Sequence, residues 1–144
     1  MKSIGKLLGI LAIVLVIGLG AMSCADGSSR NLICVWELVG WELVDFGFDN
    51  NTITPRGLNE IQQSLFQRIE FSRDGTGIIR NSSMTWRQID DRRLEMGGRV
   101  YDFILTENNT SLRLNYGTRT FAIVVGNMMY RVSRDLVGIY RKVR

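Results

Sequence analysis

At 144 residues the chain has room for one domain and little more. It contains no histidine and two cysteines, which excludes histidine-activated nucleophiles, histidine-ligated zinc and thiolate metal cages. A formal net charge of +4 is too mild for an electrostatic nucleic-acid binder, and no glycine-rich phosphate-cradling motif occurs.

The chain opens with Lys2 and Lys6, followed by an almost unbroken apolar run from Leu7 to Ala21. A charged head before an oily stretch is the pattern of a secretory signal. The run is about 15 residues, against the roughly 20 that a helix needs to cross the hydrocarbon core. A cleaved signal over residues 1–23 is therefore expected in preference to a retained membrane anchor. Ala21-Met22-Ser23-Cys24 resembles a bacterial lipobox, in which small residues lead up to a cysteine that becomes the lipid-bearing N-terminus. Ala21 stands where the usual pattern has leucine, and a competing cut after Ala25 would release a soluble secreted chain.

The lipobox resemblance implies a fatty-acylated Cys24, attachment to the membrane through that lipid, and a place in the bacterial cell envelope. Ala25 replaces the aspartate that holds lipoproteins in the inner membrane of enteric bacteria, so the outer membrane is preferred. Residues 24–31, with Asp26-Gly27-Ser28-Ser29, read as a flexible tether. With Cys24 acylated, Cys34 becomes a small buried apolar residue. With Cys24 retained but not acylated, a disulfide between the two is the alternative in an oxidising compartment. Loss of Lys2 and Lys6 leaves 16 basic against 14 acidic residues.

The domain is expected over residues 32–144. A first strand lies near residues 33–46. Asp49-Asn50-Asn51 then starts a loop, Thr54-Pro55 supplies an N-cap and a first-turn proline, and Leu58, Ile61 and Leu65 follow at helical spacing. That short helix reads as a plug packed over the barrel end, with a mobile lid as the other reading.

From residue 66 onward, turn-forming groups recur at short intervals: Asp74-Gly75, Asn81-Ser82-Ser83, Asp90-Asp91, Gly97-Gly98, Asn108-Asn109, Asn115-Tyr116-Gly117 and Gly126-Asn127. Between them apolar residues alternate: Ile69 and Phe71; Met84 and Trp86; Leu94 and Met96; Tyr101, Phe103 and Leu105; Leu112, Leu114 and Tyr116; Phe121, Ile123 and Val125. Period-two alternation predicts strands with one wet and one dry face. Connections this short permit only antiparallel hairpins. The expectation is an all-β, up-and-down meander of about eight strands closing into a small barrel. Residues 134–144 fit either a last strand or a helical stripe, and strand is preferred.

Chemistry-bearing candidates are few. Asp90 and Asp91 sit at a predicted hairpin tip in water. Glu37 and Glu42, five apart on a strand, point to opposite faces unless a bulge intervenes. No catalytic residue, metal site or cofactor is therefore expected, and the Asn-x-Ser/Thr triplets at Asn50, Asn81, Asn108 and Asn109 read as turn chemistry. Trp86, Tyr101, Phe103, Leu114 and Phe121 are the predicted interior, and with Met129 they are the candidate lining of any cavity.

Trp36-Glu37-Leu38-Val39, then Phe71-Ser72-Arg73-Asp74-Gly75-Thr76-Gly77, then Met84-Thr85-Trp86-Arg87-Gln88-Ile89 followed by Asp90-Asp91-Arg92-Arg93-Leu94 resemble, in order and spacing, bacterial lipocalin-like domains of calycin type. The likeness covers about residues 32–133. Trp36 is the preferred match to the family tryptophan over Trp41, although Cys34 then stands where the family has glycine. The resemblance implies a tryptophan at the closed barrel end under an arginine from the last strand, with Arg131 the candidate by position. It also implies a non-catalytic lipoprotein binding a small apolar or amphipathic molecule. The alternative is a filled barrel with no small-molecule ligand that works as a structural or protein-interaction module.

Overall fold

The computed structural model of the chain describes residues 30–143. The expected signal segment and Cys24 lie outside the described residues, as does all of the tether except residues 30 and 31. The described elements are β1 (Val35–Leu43), α1 (Pro55–Ser64), β2 (Arg68–Phe71), β3 (Thr76–Ile79), β4 (Ser82–Gln88), β5 (Arg93–Met96), β6 (Arg99–Thr106), β7 (Ser111–Val125) and β8 (Met128–Val143). Each strand pairs antiparallel with the next, and β8 returns to β1, so the sheet closes as a barrel in strict meander order. Alternating strands joined by a few residues have no other way to pair, and closure removes the exposed edges of an open sheet.

The turns use the expected residues. Asn81, Asn108, Asn109, Gly97, Gly98 and Gly126 all carry positive φ. Asp74 accepts from both the amide (3.0 Å) and the hydroxyl (2.6 Å) of Thr76. That closes the turn into β3.

Two expectations change and cancel in the strand count. Asn115-Tyr116-Gly117 is a bulge inside one long strand, where the β7–β8 register slips between Asn115 and Thr118 and Gly117 has φ +81°. A positive-φ glycine serves a bulge as well as a turn. The slip carries inward-facing residues from even numbers (Leu112, Leu114, Tyr116) to odd ones (Phe121, Ile123), all buried. Conversely, β3 showed no alternation because Gly77 occupies its inward position. The end of the chain is strand: β8 runs unbroken to Val143, about 50 Å at the usual rise.

A second bulge, between Leu38 and Gly40, turns both Trp36 and Trp41 toward the core. It also turns Glu37 and Glu42 outward together, against the expectation of opposite faces. Each then finds its own arginine: Glu37 pairs with Arg68 at 3.0 Å and Glu42 with Arg113.

Helix α1 packs, as its apolar stripe requires. Thr54 caps it by accepting from the Gly57 amide at 3.0 Å, and Pro55 fills the first turn. Ile61 and Leu65 are buried and Leu58 packs against the core. The Thr54 amide and hydroxyl both donate to the Ala122 carbonyl at 3.1 Å. Helix and strand approach so closely that a Cβ on Gly57 would lie 2.7 Å from that oxygen.

Candidate functional site

The candidate site is the barrel interior. Trp86, Tyr101, Phe103, Leu114 and Phe121 are all buried there. Phe103 and Leu114 are cross-strand partners there, and Trp86, Tyr101 and Phe121 each meet another core aromatic. Trp86 leans on Phe71 with ring centroids 4.7 Å apart, and its indole N–H donates to the Ser72 carbonyl at 2.9 Å. Tyr101 meets Phe66 and Tyr116 edge-on at 6.4 and 5.8 Å. Leu114 faces Gly138 across the β7–β8 ladder. Phe121 meets Phe46 edge-on at 5.7 Å.

A closed polar ring holds the middle of this core. The Phe66 amide donates to the Tyr116 hydroxyl at 3.1 Å, and the Tyr140 hydroxyl donates to the Phe66 carbonyl at 2.8 Å. The two phenols also hydrogen-bond each other. Tyr116 is then the donor of that third bond, and every polar atom of the ring has a partner. Burial pushes the Tyr116 phenol up to about 12 and the Tyr140 phenol higher still. Both hydroxyls therefore stay neutral and able to donate. Gly138 makes room for the pair, since a Cβ there would sit 2.9 Å from the Tyr140 ring and 3.0 Å from that of Tyr116.

Two sequence candidates lie elsewhere. Met129 is on the outer face, because inward positions of β8 are even-numbered (Leu136, Gly138, Tyr140), and it is 68% exposed. Arg131 is outward for the same reason, and its guanidinium lies 3.9 Å from Glu60. Trp36, wholly buried, sits eleven strand positions away along β8, opposite Lys142. The Lys142 ammonium is 5.8 Å from the centre of the Trp36 ring, and the indole N–H donates to the Leu32 carbonyl at 3.0 Å. The cation over the buried indole thus comes from Lys142, in place of the expected Arg131.

Four open clefts of about 230 to 390 Å³ lie among the described residues. Phe103 and Tyr101 each reach the wall of one. Trp86, Leu114 and Phe121 contribute to none of these four. Asp90 serves its turn: it accepts from the Arg92 and Arg93 amides at 2.9 and 2.8 Å, and from the Arg93 guanidinium. The Arg93 side-chain bond is the main cause holding its carboxyl below the usual range. Among the described residues no three metal-ligating side chains come together.

Sequence reasoning missed Lys142 and the partnership of Tyr116, Tyr140 and Phe66. The available signal was two tyrosines at inward strand positions, whose hydroxyls must find partners when buried. Comparison of the chain with protein-family models, curated proteins and solved structures finds no match.

Proposed function

We propose that this chain is an exported, lipid-anchored protein of the bacterial envelope. In this reading its lipocalin-like barrel is filled with side chains and works as a non-catalytic interaction module instead of a small-molecule carrier. The observation that carries the reading is the core itself. Leu114, Phe121 and Tyr140 are fully buried, and the hydrogen bonds among Tyr116, Tyr140 and Phe66 give their buried polar atoms partners inside the protein. An eight-stranded barrel is only just wide enough to be filled by side chains or to hold one small molecule. In this reading the side chains take the room.

One observation favours a second reading of the attachment. Cys34 is disulfide-bonded, and the only other cysteine of the chain is Cys24, outside the described residues. A sulfur alkylated by a lipid cannot also form a disulfide. On this second reading the protein is exported to an oxidising compartment without a lipid on Cys24.

Mass spectrometry of the protein purified undenatured from its own host tests both points. The expected native mass is that of the polypeptide with a diacylglyceryl N-terminus and no further adduct. A stoichiometric, non-covalent lipid-sized adduct would overturn the filled-barrel reading. An unacylated mass that gains two alkyl groups only after reduction would establish the disulfide reading.

A further inference from the structure

The top of the β7–β8 hairpin does not belong to the barrel. Beyond Thr118 and Asp135 the two strands pair with each other and, among the other strands, with none. Phe121 and Ile123 at their base still pack into the core, and only the tip past Ile123, a short arm up to the turn at Gly126-Asn127, stands clear of it. Its base is braced on one side, where Ile53 bridges Ile123 and the α1 cap bonds to Ala122. Past that brace Val124, Val125, Met128, Met129 and Tyr130 are between 37 and 68% exposed. The register places Val124 opposite Met129 on one face, and Val125 opposite Met128 on the other. Tyr130 lies across from Ile123 on that second face.

We infer that this arm is a finger that enters the surface of an anionic phospholipid bilayer. The inference rests on the reading of the barrel as a non-catalytic interaction module and names what it interacts with. A folded protein partner covers one face of a hairpin and leaves the other wet. An arm that is apolar on both faces matches a medium that surrounds it. From the turn to the Val124–Met129 pair is about 7 Å at strand rise, within the roughly 5 to 10 Å that interfacial segments bury. Tyr130 follows at the depth where amphipathic rings collect.

Behind the apolar tip comes a basic collar. The segment from Thr118 to Arg134 carries Arg119, Arg131 and Arg134 and no acidic residue. Glu60 of α1, 3.9 Å from Arg131, and Asp135, next to Arg134 and bonded by the Thr118 hydroxyl, offset part of that charge. The remaining sign suits anionic headgroups. The tip and the N-terminal end of β1 lie at opposite ends of the barrel, because Val35 pairs with Val143.

The test uses the full protein reconstituted on vesicles, with oxidation of its own methionines by hydrogen peroxide read by peptide mass. On vesicles of phosphatidylcholine with one quarter phosphatidylglycerol, Met128 and Met129 should oxidise about five-fold or more slowly than without vesicles, since burial in lipid shields the thioethers. Met84 and Met96 should be unchanged, and pure phosphatidylcholine should protect less. Met128→Asp should abolish protection of Met129 without altering the circular dichroism spectrum.

Unprotected Met128 and Met129 on protein that floats with the vesicles would overturn the finger. So would protection that appears without vesicles and rises with protein concentration, which would assign the arm to a second copy. Neither result touches the filled barrel, which stands or falls on the native mass.

Discussion

Replacing Phe121 by alanine probes the filled interior where it is most demanding. The ring is fully buried and meets Phe46 edge-on at 5.7 Å. Its neighbours are held by the α1 cap and the β7–β8 ladder, so the site has little freedom to collapse. Removing a buried aromatic side chain forfeits its transfer free energy, about 1.5 to 3 kcal/mol. In a tightly packed site a cavity penalty adds to that, for a total of about 3 to 5 kcal/mol. If Phe121 instead lined an open pocket, truncation would enlarge existing space and only the transfer part would be lost. Urea unfolding followed by circular dichroism separates the cases, provided the slope against denaturant is unchanged. A loss of about 3 kcal/mol or more fits the filled barrel. A loss below about 2 kcal/mol refutes the packing argument, and one within about 0.5 kcal/mol would put the ring in water.

Other perturbations address the remaining parts of the account. Burial raises the folded-state values of Tyr116 and Tyr140, so their stabilisation is complete below pH 10, the unfolded value, and is lost as the pH climbs toward 12 and above. At full slope the two together should remove about 2.7 kcal/mol per pH unit. The double variant Tyr116→Phe/Tyr140→Phe should flatten that decline in pH-dependent melting, and an equally steep decline would contradict the assignment. Gly57→Ala should lose about 1 to 3 kcal/mol through overpacking against Ala122, although helix propensity alone would gain about 1 kcal/mol. A net gain in thermal stability would show that the contact is loose. Cys24→Ser should release the protein from salt-washed membranes while leaving its urea midpoint unchanged. Unaltered sedimentation with a destabilised fold would instead favour the disulfide.

The fold was legible because its signals are local. Period-two alternation and turn residues lie within ten positions of one another, and Thr54-Pro55 before Leu58 and Ile61 marks the helix as plainly. What escaped depended on distant partners. Whether Gly117 makes a turn or a bulge is decided by β8, since the same positive φ serves both. The bulge at Leu38/Gly40 reversed the expected facing of Glu42, and the slip, with Val39 as the extra residue of β1, is visible only once β1 is paired with β8. Lys142 displaced Arg131 over Trp36 because register across the barrel closure cannot be read from spacing within one strand. Met129 is a candidate by residue type alone, and the parity of β8 turns it outward. The buried aromatics were identified correctly as core, yet residue type alone does not distinguish a wall of a pocket from the filling of one.

That distinction can be measured without ligand chemistry. A crystal of the protein pressurised with xenon reports any enclosed apolar space large enough for one atom. The filled barrel predicts no xenon among Trp86, Tyr101, Leu114 and Phe121 in the native protein, and a new site beside residue 121 in Phe121→Ala. Ordered xenon in the native interior would contradict it.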